Sequence, residues 1–249
     1  MTYIEGFVAA VPEANRETYR KHAADAAPIF REFGVQRMVE NWGDDVPHGK
    51  VTDFYGAVQA KDGETIVFSW FEYPDKATRD AANQKMKTDP RMQQMGETMP
   101  FDGMRMIYGG FDSIVDERQD GATGYVDGYL LPVPEDRKED YRALAQKVAG
   151  KFKDYGAVRV VEAWGDDVPE GKVTDYQRAV KAEPGEGIIY SYVEWPDKET
   201  RDKGWEKLMA DPDMQGDHDM PFDGKRMFWG GFRPMIDTAA EAPAERETA

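Results

Sequence analysis

The second half of this chain restates the first. Displacing the sequence by 122 positions sets Tyr3 on Tyr125, Gly6 on Gly128, Val11-Pro12-Glu13 on Val133-Pro134-Glu135 and Tyr19-Arg20 on Tyr141-Arg142, and the match runs on to Met92 and Met214. One residue is then lost, and a displacement of 121 sets the MPFDG at 99–103 on the MPFDG at 220–224. About half of the aligned positions are identical, far beyond chance for unrelated segments. Length alone, at 249 residues, allows one large domain or two of ordinary size; the repeat selects two like units. The expected division is a first repeat at 1–116, a linker at 117–124 (ERQDGATG), a second repeat at 125–237 and a disordered tail at 238–249.

Within each copy the hydrophobic pattern reads strand, helix, two or three strands, helix, strand. YIEGFVAA alternates as a half-buried strand does, and Val11-Pro12-Glu13 opens a helix that Gly34 stops after Phe33. VQRMVENW (35–42) predicts a second strand. FYGAVQA and TIVFSWFEY, on either side of Lys61-Asp62-Gly63-Glu64, predict a hairpin. Pro74-Asp75 starts a second helix ending near Asp89-Pro90, and Met104 to Phe111 predicts the last strand. This order is the split βαβ, ferredoxin-like arrangement of the α+β class, with helices on one face of an antiparallel sheet. The other face needs cover, and a duplicated chain supplies it. Two antiparallel sheets packed face to face, an intramolecular pseudo-dimer, are expected.

Composition removes several classes of function. The chain has no cysteine, so no disulfide, thiolate nucleophile, thiolate zinc site or iron–sulfur cluster is proposed. Net charge is −16, both halves are acidic and no basic stretch occurs, which makes nucleic acid, RNA included, and anionic membranes poor partners. The N-terminus, with Glu5 inside a short apolar run, fits neither a signal peptide nor a membrane span, and a cytoplasmic protein is expected. His22 and His48 face Leu144 and Glu170 in the other copy and His218 has no identical counterpart, so no duplicated histidine base, haem ligand or metal cluster exists. No Walker or Rossmann glycine pattern is present, and no cofactor is expected.

Candidate site residues come from strand parity, because residues two apart share a face. Tyr3, Glu5 and Phe7 match Tyr125, Asp127 and Tyr129. Met38, Glu40 and Trp42 match Val160, Glu162 and Trp164, while Phe68, Trp70 and Glu72 match Tyr190, Tyr192 and Glu194. Acids thus recur beside aromatics. Arg105 and Arg226 are expected to join them from the last strand, whereas Arg37 and Arg159 alternate with the Glu40 and Glu162 face and point elsewhere. If these faces meet between the repeats, they frame a pocket in which a carboxylate of raised pKa acts as base and arginine stabilises developing anionic charge. The bland alternative is inter-strand ion pairing with the aromatics as sheet packing. The block Trp42-Gly-Asp-Asp-Val-Pro47 with Gly49-Lys-Val-Thr-Asp53 recurs as Trp164 to Asp175 with eleven of twelve positions identical. Asp44, Asp45, Lys50 and Asp53, with Asp166, Asp167, Lys172 and Asp175, are candidates for a polar rim at the pocket mouth, or else they cap turns. The methionines, including Met92, Met95, Met99, Met104 and Met106, read as gap-filling core.

The blocks ENWGDDVPHGKVTDF, FSWFEYPDKATRDAANQKM, DPRM and MPFDGMRMIYGGFDSI resemble the YbaA-like bacterial family of unknown function, within the dimeric α/β-barrel superfamily. The resemblance implies ferredoxin-like subunits paired sheet to sheet, here joined covalently, and no assigned reaction. The wider superfamily is similar in shape to cofactor-free monooxygenases, isomerases, haem enzymes and ligand-sensing regulators. The functional expectation is a small-molecule-binding protein, with cofactor-independent catalysis as its enzymatic form and further oligomerisation left open. A non-catalytic structural or protein-interaction module is the alternative.

Overall fold

The computed structural model describes residues 2–214 and 219–239; His218 and the expected tail beyond Ala239 lie outside them. The first repeat contributes β1 (Tyr3–Pro12), α1 (Arg16–Phe33), β2 (Arg37–Asp45), α2 (Phe54–Ala57), β3 (Glu64–Tyr73), α3 (Lys76–Thr88), α4 (Pro90–Glu97) and β4 (Ile107–Arg118). The second contributes β5 (Tyr125–Pro134), α5 (Lys138–Asp154), β6 (Arg159–Asp167), α6 (Tyr176–Ala179), β7 (Glu186–Trp195), α7 (Lys198–Ala210) and β8 (Phe228–Asp237). Local chemistry sets the ends of these elements. Gly34, at φ 112°, closes α1 by donating its N–H to Arg31 and Phe30. Asp75 and Asp197 cap α3 and α7 by accepting from the Thr78 and Thr200 N–H groups, each at 2.7 Å.

All eight strands form one closed antiparallel barrel in the order β1-β3-β2-β8-β5-β7-β6-β4. The two sheets therefore do more than face each other. β2 pairs with β8 and β4 with β6, so every strand edge is covered by the other repeat. This explains two departures from the sequence expectation. β4 starts only at Ile107, after a 3-10 turn at Gly103–Arg105, and continues to Arg118, because its second half pairs with β6 of the other repeat and not within its own. FYGAVQA is not a hairpin arm. Its first residues form the short helix α2, capped by Asp53, whose carboxylate accepts from the Gly56 N–H at 2.6 Å. Phe54 then plugs the barrel end, edge-on to Phe68, Phe228 and Phe232. A further helix that the sequence reading lacked, α4, follows Asp89 and has Pro90 in its first turn.

Inside the barrel, side chains meet their own counterparts across the pseudo-two-fold axis. Phe68 stacks on Tyr190 with centroids 4.6 Å apart, and Trp70 stacks on Tyr192 at 4.0 Å. These rings lie over the neighbouring strands so closely that glycine is required beneath them: a Cβ at Gly6 would come within 2.6 Å of the Tyr190 ring, and one at Gly128 within 2.8 Å of Phe68. Both sheet faces are buried, the inner one by this aromatic core and the outer one by helices.

Candidate functional site

The strand parity read from the sequence holds, but the faces point in opposite directions. Trp70, Glu72, Tyr192 and Glu194 look into the barrel; Tyr3, Glu5, Glu40, Trp42 and their counterparts look out toward the helices. A small cleft of about 290 Å³ does lie between the repeats beside α2 and α6, bordered by Asp53, Gln59, Thr174 and Arg178, but the barrel interior, where the expected pocket would stand, is occupied by the stacked rings. The acids at its end are consumed in ion pairs. Arg37 and Arg159, expected to point away from the site, point inward and bind these acids. Arg37 donates to both oxygens of Glu194 at 2.8 and 2.7 Å and to Asp237. Arg159 donates to Glu72 at 2.6 Å and to Asp116. Burial works against the Glu72 carboxylate, yet Arg159 and Arg37 hold its pKa below the ordinary value. This cluster locks the repeats together.

The other candidates mostly serve the same end. Tyr3 donates to Asp166 at 3.0 Å and Tyr125 to Asp44 at 2.9 Å, each bond crossing between repeats. Asp45 accepts from Arg201, and Asp167 from Arg79. The Gly-Asp-Asp segments are thus reciprocal clamps. Asp53 and Asp175 cap α2 and α6, as the turn-capping alternative held. Lys50 and Lys172 are exposed. Arg105, on the 3-10 turn and not on a strand, is bidentate to Glu64 at 2.7 Å, and Arg226 repeats this with Glu186. Neither arginine joins Glu40 or Glu72. Trp42 and Trp164 lie under the cations Arg16 and Lys138, at 5.7 and 4.6 Å from the ring centres.

Three of the predicted acids, Glu5, Glu40 and the rim candidate Asp167, do border open space, on the outer face. A cavity of about 570 Å³ lies in the first repeat between the sheet and α1, α3 and α4. Its floor carries Glu5 and Phe7 from β1, Ser69 and Phe71 from β3, and Met38 and Glu40 from β2. Its walls include His22 and Phe30 of α1, Asn83 of α3 and Met92 of α4, and the second repeat reaches its edge through Asp167. Tyr19 and Ser69 donate hydroxyl bonds of 2.7 and 2.5 Å to one oxygen of Glu40, Oε2. Oε1 takes no hydrogen bond from the described residues, and Glu40 lines the cavity. Burial pushes the Glu40 pKa up to about 7, the two hydroxyl donors offsetting only part of that cost. Glu5 is raised too, chiefly by burial, with Arg79 opposing at 3.0 Å. Burial lowers the His22 pKa, favouring the neutral imidazole.

The second repeat keeps the frame and fills the space. Tyr141 donates to Glu162 at 2.6 Å, and Glu162 is likewise raised to about 7 by burial. But Leu131, Val148 and Trp205 stand where the first repeat has Ala9, Ala26 and Asn83, and all three join one apolar cluster. The sequence reading missed Tyr19, Arg79 and Asn83, set aside His22 because it was not duplicated, and took the methionines for core although Met86, Met92, Met95 and Met99 line the cavity. The usable signal was where the copies differ in volume, not where they agree. Among the described residues no group of three or more His, Cys, Asp or Glu side chains is arranged to hold a metal, and no helix is long and apolar enough to cross a membrane.

A closed antiparallel barrel of two ferredoxin-like halves, with helices packed on its outside, defines this chain as a fused member of the dimeric α/β-barrel class. More narrowly, it belongs to the family described as protein of unknown function DUF1428, whose profile matches twice, at residues 2–103 and 124–224. It is similar to the uncharacterized protein YbaA of Escherichia coli K12, 63% identical over 117 residues that make up 47% of this chain and 100% of that protein. YbaA of Shigella flexneri matches to the same extent. A whole relative thus corresponds to one repeat. Among solved structures, a provisionally assigned monooxygenase from Fusobacterium nucleatum superposes with a TM-score of 0.56 at 8% identity, covering 95% of this chain and 93% of that one. Another from Lactobacillus acidophilus gives 0.51 at 9% identity, with 95% of both chains covered. At such identities the likeness concerns the fold alone.

Proposed function

We propose that the first repeat binds a small, largely apolar molecule in the cavity between its sheet and helices, with Glu40 as the group that exchanges a proton with it. The observation that carries this reading is the free Oε1 of a buried carboxyl whose pKa of about 7 lets it take up or release a proton near neutral pH, facing a methionine- and aromatic-walled space. Such walls exclude water, which strengthens any hydrogen bond made inside, and unbranched methionine adapts to irregular ligands. In the enzymatic form of this reading the Glu40 carboxylate, held on Oε2 by the Tyr19 and Ser69 hydroxyls, accepts a proton from the bound molecule on Oε1 and becomes the neutral acid, leaving the negative charge on the bound molecule. The monooxygenase assignments of the structural neighbours are not transferred.

The test is a metabolite thermal-shift screen on wild type and on the double variant Ala9→Leu/Ala26→Val, which copies the second repeat's filling residues. Ligands of the cavity raise the wild-type melting temperature, since a ligand at 100 times its Kd adds about 2.7 kcal/mol, and leave the filled variant unmoved. Equal shifts in both proteins would sink the proposal. A second reading is favoured by Glu162, which keeps the tyrosine bond and raised pKa behind a filled wall: binding without turnover, the carboxyl cluster serving the fold. Glu40→Gln separates the two, because it abolishes turnover of a bound ligand only if Glu40 moves a proton.

A further inference from the structure

We infer that Trp205 occupies in the second repeat the place a ligand takes in the first, so that the cavity's ligand is a neutral, planar aromatic molecule of bicyclic size bearing a hydrogen-bond donor. The inference rests on the binding reading above and narrows it. Asn83 and Trp205 hold equivalent positions on α3 and α7, and each donates one side-chain N–H to the equivalent carboxylate: Asn83 Nδ2 to Glu5 and Trp205 Nε1 to Asp127, both at 2.9 Å. Beyond that shared bond the two diverge. The Trp205 ring lies 5.3 Å from Phe152 and 6.4 Å from Tyr129. Their counterparts, Phe30 and Phe7, both line the open cavity. The indole therefore fills space that the first repeat leaves empty.

The surroundings changed together with it. Trp195 replaces Tyr73 and donates its own Nε1 to Asp127 at 3.0 Å, and the carboxylate is one carbon shorter there than at Glu5. Gly204 replaces Ala82, because a Cβ at that position would lie 2.6 Å from the Trp195 ring. An indole, with a donor aimed at the β1 carboxylate and aromatic rings beside it, is thus a shape this layer accommodates without strain in its frame. In the first repeat the polar atoms left over near the sheet are acceptors, while His22 and the exposed Lys87 put donors on the helix walls. The Asn83 amide is fixed in orientation, because its partner carboxylate only accepts, and its Oδ1 has no partner among the described residues; neither has Glu40 Oε1. The Arg79 guanidinium is already faced by Glu5, Asp80 and Asp167. A ligand donor finds partners here, and an added negative charge meets carboxylates.

Calorimetric titration of the full chain with indole, 1-methylindole and indole-2-carboxylate tests the inference. Indole is expected to bind one per chain, with 1-methylindole, the same shape without its N–H, at least tenfold weaker and the anion weaker still. Asn83→Trp, which copies the plug, should abolish indole binding; Ala9→Leu/Ala26→Val serves the same purpose should that variant fail to fold. Trp205→Ala should bind a second indole. Equal affinity for indole and 1-methylindole overturns the donor requirement, tighter binding of the carboxylate overturns neutrality, and absence of a second equivalent in Trp205→Ala overturns the role of Trp205 as stand-in. Should no indole bind while screened metabolites still distinguish wild type from Ala9→Leu/Ala26→Val, the aromatic class falls and the cavity reading stands. When no compound of either set makes that distinction, both fall.

Discussion

Between sheet and helices the first repeat holds Ala9, Ala26 and Asn83 around open space, where the second holds Leu131, Val148 and Trp205 in one apolar cluster. On the axis inside the barrel the copies stay alike: Phe68 meets Tyr190 and Trp70 meets Tyr192, aromatic against aromatic. The difference follows from symmetry. On the pseudo-two-fold axis a residue's neighbour is its own counterpart, so a change in one copy must be answered by the other. The outer layers form two separate apolar clusters, so a change of volume inside one needs no answer from its counterpart in the other. Relatives as long as a single repeat have one sequence for that layer; a fused chain can spend one copy on stability and keep the other open.

The largest test of this contrast is Trp205→Ala against Asn83→Ala. Removing the indole leaves a cavity and takes one of the two tryptophan donors from Asp127, a loss of about 3 to 5 kcal/mol in urea unfolding. Asn83→Ala, already at a cavity, should cost about 1 kcal/mol, one hydrogen bond. Similar losses would mean that the first-repeat cavity is collapsed in solution.

Next in size is a pH dependence. Glu40 and Glu162 have folded pKa values raised to about 7, so the folded state holds these protons more tightly than the unfolded chain. Their contribution to stability is fully present below the ordinary carboxyl pKa of about 4.5 and is lost as pH rises through about 7, at roughly 2 to 3 kcal/mol each between pH 5 and 8. Glu40→Gln and Glu162→Gln should each remove that share of the slope. A cavity ligand that donates to Glu40 should flatten only the Glu40 share; flattening of both would place the ligand elsewhere.

Smaller effects sharpen the contrast further. Tyr19→Phe and Tyr141→Phe each remove one hydroxyl donor to a buried carboxyl, at about 1 kcal/mol. The first should in addition raise the Glu40 pKa and change ligand affinity, and the second should leave binding untouched. Smallest and most alike are Tyr3→Phe and Tyr125→Phe, which break the two reciprocal clamps to Asp166 and Asp44; each should cost at most about 1 kcal/mol, and binding stoichiometry should stay at one.

The sequence by itself determined the duplication, the α+β order, the strand parities, and the grouping of Glu5 with Tyr3 and of Glu40 with Trp42. It also carried the volume differences that mark the open layer, since Ala9/Leu131, Ala26/Val148 and Asn83/Trp205 can be read from the alignment of the copies. Only the tertiary structure decided which way each face points. A sheet buried on both sides, as β1 is with Ile4 and Val8 on one face and Tyr3 and Glu5 on the other, has no polar face to identify the outside. Alternation fixes which residues travel together but leaves their direction open. Likewise the length of β4 and the inward pairing of Arg37 with Glu194 depend on strands and charges that belong to the other repeat. No window of local sequence contains them, because closing the barrel brings together strands from different repeats.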